Sequence, residues 1–325
     1  MENSSLSFHF NLTMFGHIGD YRYPVFAFSF ILYTFIVSAN VIIILVISLE
    51  RSLHQPMYVL IVCLSVNSLY GSTGFFLRFL RDLLHETYLM SRLECFSQIY
   101  VMYTYASYEF TILSMMAYDR YVAVCKSLHY HNTMTSKMVY KLSLFALIYP
   151  AFAVGTVMIF SGRLPLCGSK IPRVFCANWS VVKLSCVDTS INNLVGMLVT
   201  AITVFIPLLF VSYTYLEILL ICRKRSAEFK WKVFQSCLPH IVTFFSYTIS
   251  IFCDITLSRY DIEELYPTLA VIVSLEFVVI PPILNPLMYG LKLPEMRRVI
   301  LKLLCRNRQC KTFKLVEVPR DLILK

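Results

Sequence analysis

The residues in this chain with the greatest capacity for chemistry are Asp119 and Arg120. They form an acid–base pair at the end of a long apolar stretch, Met115-Met116-Ala117-Tyr118-Asp119-Arg120-Tyr121-Val122-Ala123-Val124-Cys125. Two charges at a membrane edge are expensive to hold unless they are paired and serve a purpose. Side by side they neutralise one another until a third group competes for either, which is the chemistry of a switch and not of bond cleavage. Upstream on the same stretch lies a second carboxylate, Glu109. Two amides, Asn40 and Asn67, interrupt earlier apolar runs, where such groups hydrogen-bond to neighbouring helices. Catalysis has little to build on: His129 and His131 stand two apart in a loop, a poor spacing for a shared metal, and no nucleophile–base set is apparent. The sequence therefore calls for no enzyme, no metal site and no cofactor.

A long helix must position these groups. From Cys95 to Arg120 is about 25 residues, roughly 38 Å of helix and enough to cross a bilayer with margins. Met102, Ala106, Glu109, Leu113, Met116 and Arg120 recur at steps of three and four, so they share one stripe along it. The rest of the chain is built in the same way. Of 325 residues 58% are hydrophobic and only 15% charged, and the mean hydropathy is +0.67, values far from those of a soluble domain. Seven apolar segments, near 24–49, 57–80, 95–118, 139–161, 193–222, 238–258 and 268–291, are each long enough to span the hydrocarbon. The expected fold is an all-α membrane protein: a seven-transmembrane helix bundle followed by a short amphipathic eighth helix. Residues 1–23 are expected to form an extracellular tail, 24–291 the membrane domain, and 292–325 the amphipathic helix and cytoplasmic tail.

The first 23 residues lack the basic start and continuous apolar core of a cleavable signal, so the first span is expected to serve as the insertion signal. Most of the 29 basic residues fall on the side opposite the N-terminus, which puts the N-terminus outside the cell. The net charge of +10 is then a topology signal and gives no support to nucleic-acid binding. Three Asn-x-Ser/Thr sequons, at Asn3, Asn11 and Asn178, lie on the outer side and are candidate glycosylation sites. So do Cys95, Cys167, Cys176 and Cys186, an even set that reads as two disulfides with three possible pairings. A bridge from Cys95 to the loop 162–192 would hold that loop over the bundle as a lid. Near the outer end of the second span, Arg81 and Asp82 can snorkel to headgroups, whereas Arg78 lies deeper and has two candidate partners, Glu276 and an anionic ligand.

Prolines mark the later spans: Pro207 in the fifth, Pro239 in the sixth, and Pro281, Pro282 and Pro286 in the seventh. Each removes a backbone hydrogen bond that neighbours must replace, and kinked helices beside Asp119 and Arg120 suggest a bundle with two packings. After Tyr289, the run Leu291 to Leu304 sets apolar and basic residues on opposite faces, the pattern of a helix lying on membrane lipid. Cys305 and Cys310, among basic residues beyond it, are candidate palmitoylation sites.

Seven spans, an Asp119-Arg120-Tyr121 closing the third and an Asn285-Pro286-x-x-Tyr289 in the seventh resemble a rhodopsin-type (class A) G-protein-coupled receptor. Leu53-His54-Gln55-Pro56-Met57-Tyr58, Met116 to Cys125, Leu128-His129-Tyr130, Lys232 to His240 and Pro281 to Pro286 are similar to the olfactory (odorant) receptor family, as is the long second outer loop with three cysteines. The resemblance runs from about Asn40 to Arg298. It implies a Cys95–Cys176 bridge and so leaves Cys167–Cys186. It also implies a heterotrimeric G protein with an olfactory stimulatory α subunit as partner, and a rise in cyclic AMP. Two positions depart from the family pattern. Asn67 stands where an aspartate is usual, which weakens a cation site shared with Glu109, and Ser127 replaces a proline in the inner loop.

The function so implied is chemosensory reception at the plasma membrane: a small-molecule odorant enters the outer half of the bundle, and the inner ends open toward the G protein. The expected pocket comprises Met102, Tyr103, Ala106, Ser107 and Phe110 of the third span, Tyr247, Ser250 and Ile251 of the sixth and Phe277 of the seventh. Such aromatic and apolar walls suit a small, mostly apolar ligand. Asp254 and Glu276 keep an amine or amino acid open. The expected switch is Asp119, Arg120, Tyr121, Tyr213, His240, Asn285, Pro286 and Tyr289, with Arg120 exchanging Asp119 for Tyr213, Tyr289 or the G protein. The internal polar site is Asn40, Asn67 and Glu109. Two other readings are a rhodopsin-type receptor for a hormone, lipid or peptide, and a transporter or channel; the odorant-type motifs oppose the first, and the absence of an internal repeat opposes the second.

Overall fold

The computed structural model describes residues 9–85, 87–259 and 267–306. Among these residues seven long helices pack side by side: α1 (Arg22–Leu49), α2 (Pro56–Leu84), α3 (Arg92–Cys125), α4 (Ser136–Gly162), α5 (Ser190–Arg223), α6 (Ala227–Arg259) and α7 (Pro267–Pro286). A further helix, α8 (Pro294–Arg306), follows a π-helical turn over Leu287–Lys292. Six of the seven long helices have the length and apolar composition to cross a membrane. The seventh, α3, carries Glu109, Asp119 and Arg120 and sits at the centre. Asn3 and Cys310 lie outside the described residues, as does the side chain of Cys305.

The distribution of side chains is that of a protein dissolved in lipid. Large apolar residues such as Phe28 and Ile31 of α1, Phe152 of α4 and Leu209 of α5 are exposed, while Asn67, Glu109, Asp119, His240 and Asn285 are buried. Without water at the periphery, the polar groups gain by facing one another.

Local sequence explains where the helices start and how they approach. Pro56 opens α2, where its missing N–H is no loss. Ser91 and Glu94 form a reciprocal capping box at the start of α3, and Thr135 caps α4 through the Met138 N–H. Gly71 and Gly74 let α2 and α3 meet closely: a Cβ at Gly71 would lie 2.3 Å from the Tyr105 ring, and one at Gly74 2.3 Å from Val101. In α5 a π-helical turn over Ala201–Phe205 precedes Pro207, and it absorbs the backbone mismatch that the proline creates.

Two features differ from the sequence expectation. Residues 9–12 are not a simple tail: β1 (His9–Leu12) is the middle strand of a small sheet, antiparallel to β2 (Leu89–Ser91) and parallel to β3 (Lys170–Ile171). Phe10, Leu12, Met90 and Ile171 are buried by it, so the N-terminal segment closes one end of the bundle. The second difference is α6, which begins at Ala227 rather than near 238. A Glu228–Lys232 pair at i,i+4 (2.7 Å) supports its first turns, and these turns project beyond the apolar span. The bundle thus has an N-terminal end under the sheet and an opposite end where Asp119 and Arg120 lie.

Candidate ligand cavity and switch

At the N-terminal end a cavity of about 130 Å³ opens between α3, α4, α5, α6, α7 and the loop 163–189. From the expected pocket it is lined by Met102, Tyr103, Ala106, Ser107, Phe110, Ile251 and Phe277. On α3 the lining residues Met102, Ala106 and Phe110 recur at steps of four, while Glu109 of the expected stripe does not line the cavity. Tyr247 and Ser250 are not in the wall. Tyr247 lies behind it, its ring 4.9 Å from that of Phe110, and the Ser250 hydroxyl donates to Glu276 Oε1 at 3.2 Å. The walls that the sequence reading missed come from α4 and α5, including Val154, Val157, Val199 and Thr203, and from Phe175, Asn178 and Trp179 of the loop. Apolar β-branched residues of that kind look the same in sequence whether they face lipid or ligand.

The loop is held down in several ways. Disulfides join Cys95 to Cys176 and Cys167 to Cys186, with Cα atoms 5.4 and 5.3 Å apart. The Cys176 N–H donates to Gln98 Oε1 at 2.9 Å. Arg173, buried in the loop, reaches α6: Nη1 lies 2.7 Å from Asp254 Oδ1, and Nη2 donates to Ser258 Oγ at 2.9 Å. Asp254 therefore already has its cation, which removes the opening for an amine that the sequence left there.

Three further assignments are corrected by these contacts. Arg78 pairs with neither Glu276 nor open space: Nε contacts Asp82 at 2.7 Å and Nη1 lies 3.2 Å from Glu94. Asp82 is buried and does not snorkel. The Asn178 sequon is a poor glycosylation acceptor, because the residue is only 8% exposed and lines the cavity; a glycan would have to enter the bundle. Asn11 lies in β1, half-buried, with its N–H donated to Ser169 O.

Midway along the bundle, Glu109 is fully buried and both its oxygens are answered. Asn67 Nδ2 donates to Oε2 and Asn285 Nδ2 to Oε1, each at 2.8 Å. Asn285 also reaches Ser68 Oγ at 3.3 Å. Thus α2, α3 and α7 meet at one carboxylate. Asn40 does not join them. Its Nδ2 donates to Ile36 O and Pro282 O, both at 2.9 Å. Pro282 O is the carbonyl that Pro286, lacking an N–H, cannot bond, so Asn40 answers a backbone group freed by the kink.

At the opposite end Asp119 is inaccessible and Arg120 18% accessible, and the two are in direct contact through Arg120 Nη2 and Nε. Arg120 Nη1 donates to Ser236 Oγ of α6 at 2.9 Å, and Tyr130 donates its hydroxyl to Asp119 Oδ1 at 2.8 Å. Burial and the Asp119 carboxylate push the Tyr130 phenol above its ordinary pKa, so it remains a donor. Tyr121 lies under the Lys126 ammonium, 5.6 Å from its ring centroid. Above this cluster His240 links three helices. Nε2 faces Leu113 O at 2.7 Å, and a carbonyl only accepts, so Nε2 carries the proton; Nδ1 then accepts from Tyr215 OH. Tyr215 takes the inward place on α5 that the sequence reading gave to Tyr213, which is 54% exposed. Tyr289, in the π-helical turn after Pro286, shares a hydrogen bond of 2.9 Å with Thr243 of α6. Ser236, Tyr130, Tyr215 and Thr243 were missed. The spacing that could have found Ser236 is its place one turn before His240 on α6.

Comparison with known proteins accords with this geometry. Residues 28–307 match the family described as Olfactory receptor. Olfactory receptor 6K3 of Homo sapiens is 30% identical over 309 residues, covering 94% of this chain and 92% of its own length. Olfactory receptor 10A3 of Homo sapiens is 31% identical, covering 96% and 99%, and Olfactory receptor 1468 of Rattus norvegicus 27% identical, covering 94% and 98%. The crystal structure of squid rhodopsin superposes with a TM-score of 0.73 over 92% of each chain at 15% identity, which shows a shared fold.

Proposed function

Because this chain belongs to the olfactory receptor family and has the rhodopsin-type fold, we propose that it is a chemosensory receptor in which a small odorant in the cavity shifts the α6 packing at Arg120 and thereby activates a heterotrimeric G protein. It is a multi-pass plasma-membrane protein, and in this reading the N-terminal end faces outward. Residues 1–23 are then extracellular, 24–291 form the receptor domain, and 292–325 form α8 and the cytoplasmic tail. Exposed Arg297, Arg298 and Lys302 on α8, with Met296 buried, suit a helix resting on anionic lipid.

The observation that carries the proposal is the placement of the cavity and the Asp119–Arg120 pair on one helix. Met102 and Phe110 line the cavity and Glu109, next to Phe110 in sequence, anchors α2 and α7, while Arg120 bonds α6. A ligand can shift such an equilibrium only by binding one packing better than the other. The cavity meets α6 at Ile251 and Asp254, so a ligand there contacts the helix that must move. Arg120, released from Ser236, then has Tyr289 or the G protein as partners, so no buried charge is left unmatched.

The test is a cyclic AMP reporter in cells displaying the receptor, with and without the olfactory stimulatory α subunit, against a panel of volatile odorants. The proposal expects a saturable response that requires this subunit. A response through a different G protein would correct the partner, and a surface-displayed receptor silent to every odorant would overturn the ligand reading.

A further inference from the structure

Part of the cavity wall carries polar groups that the protein leaves unanswered. Asn178, Trp179 and Asn192 line it, and Asn178 Oδ1, Trp179 Nε1 and Asn192 Nδ2 are sealed from solvent without a hydrogen-bond partner. Buried polar atoms in native proteins are nearly always paired, so three orphans around one cavity ask for a ligand that pairs them.

Trp179 sets the direction of the missing bond. An amide can be turned to offer either oxygen or nitrogen, but an indole N–H only donates. The indole is also held in place, with the Arg259 guanidinium 4.0 Å from its ring centroid and Arg259 itself bonded to Asn193 Oδ1. Asn192 Nδ2 offers a second donor. Asp254, the carboxylate among the lining residues, is occupied by Arg173 at 2.7 Å, so an ammonium group finds no waiting counter-ion in this wall. Elsewhere the lining is apolar, with Met102, Phe110, Val157, Ile251 and Phe277.

We propose that the ligand of this receptor has an apolar body ending in a carbonyl-type oxygen, as in a ketone, aldehyde, ester or carboxylic acid, which accepts hydrogen bonds from Trp179 Nε1 and Asn192 Nδ2. The apolar body fills the Met102–Phe110–Phe277 wall, and Asn178 Oδ1 takes a donor where the ligand has one. This assignment rests on the reading of the chain as a ligand-gated receptor and adds its ligand class.

The experiment uses the full-length receptor, with surface display verified, and four probes of one chain length: a linear ketone, its carboxylic acid, its amine and its alkane. The ketone or the acid should activate at a half-maximal concentration at least about tenfold below that of the amine or alkane, the value of one well-made hydrogen bond. Their order separates a neutral carbonyl from a charged carboxylate that also engages Arg259. Trp179→Phe keeps the ring under Arg259 and removes the donor; it should raise the half-maximal concentration for the carbonyl probe about fivefold to tenfold and leave the maximal response unchanged. Asn192→Leu should act in the same direction. An amine or alkane matching the carbonyl probes, or an unchanged dose–response in both variants, overturns the assignment. Silence toward all four probes in a receptor that another odorant activates also overturns it, while leaving the receptor reading intact.

Discussion

Replacing Ser236 with alanine should raise ligand-free signalling. Asp119 and Arg120 are neighbours on α3, so their ion pair is the same whichever way α6 swings, and it cannot by itself favour one packing. The bond that crosses is Arg120 Nη1 to Ser236 Oγ at 2.9 Å, and it is lost when the end of α6 moves outward. A hydrogen bond to a charged group contributes about 1.5–3 kcal/mol when well buried. Arg120 is 18% accessible, so partial solvation puts this one nearer about 1 kcal/mol, or roughly a fivefold change in the ratio of the two packings. With the active packing a minor population, basal cyclic AMP should rise by about the same factor. The assay is ligand-free reporter output in cells matched for surface receptor number, with Ser236→Thr, which keeps the hydroxyl, as the control at the wild-type level. Basal output in Ser236→Ala equal to or below wild type would refute the reasoning, since it would mean that this contact does not hold the resting state.

Three other outcomes follow from the packing. Gly71→Ala places a methyl group against the buried Tyr105 ring, 2.3 Å away, and should cost about 1–3 kcal/mol, read as a lower melting temperature in detergent; Gly155→Ala, with open space around it, should be neutral. Cys95→Ser removes the bridge that pins the loop and should cost about 2–5 kcal/mol, enough to abolish surface delivery measured by antibody labelling of an N-terminal tag. Asn11→Gln should abolish an endoglycosidase-sensitive mobility shift if Asn3 is also changed, while Asn178→Gln should leave the shift unchanged because that side chain is enclosed.

The long helices were legible in sequence because hydrocarbon demands about 20 apolar residues per crossing. The first six predicted spans accordingly fall inside α1 to α6, and the seventh, 268–291, runs from α7 into the π-helical turn over Leu287–Lys292. What escaped was set by other forces. The first turns of α6 lie beyond the apolar span, so hydropathy is blind to them; the Glu228–Lys232 spacing was the available signal. β1 contributes only four residues, His9 to Leu12, and its partners lie far along the chain at Leu89–Ser91 and Lys170–Ile171. In α5 the π-helical turn over Ala201–Phe205 shifts the phase of every residue after it, and hydropathy does not report that it is Tyr215 that faces His240. Arg78 shows a different failure. Its partner Asp82 stands at i,i+4 on the same helix, a signal carried by spacing and not by depth in the membrane.

The site was legible to a similar degree. Met102 and Ala106 of the α3 stripe lie in the cavity wall, and the Glu109, Asn67 and Asn285 cluster could be expected from buried amides beside a buried acid. Asn40 could not be separated from that cluster without coordinates. Of its two acceptors, Ile36 O and Pro282 O, the second is available because Pro286 leaves that carbonyl free.

The measurement that bears most directly on this account is an odorant dose–response of the wild-type receptor beside Ala106→Trp and Arg120→Gln, all at equal surface density. Ala106 lines the cavity, and an indole there fills much of its volume. The account predicts that Ala106→Trp loses the odorant response but keeps basal signalling, and that Arg120→Gln loses both. An undiminished odorant response in Ala106→Trp would contradict it, because the ligand would then act from somewhere other than this cavity.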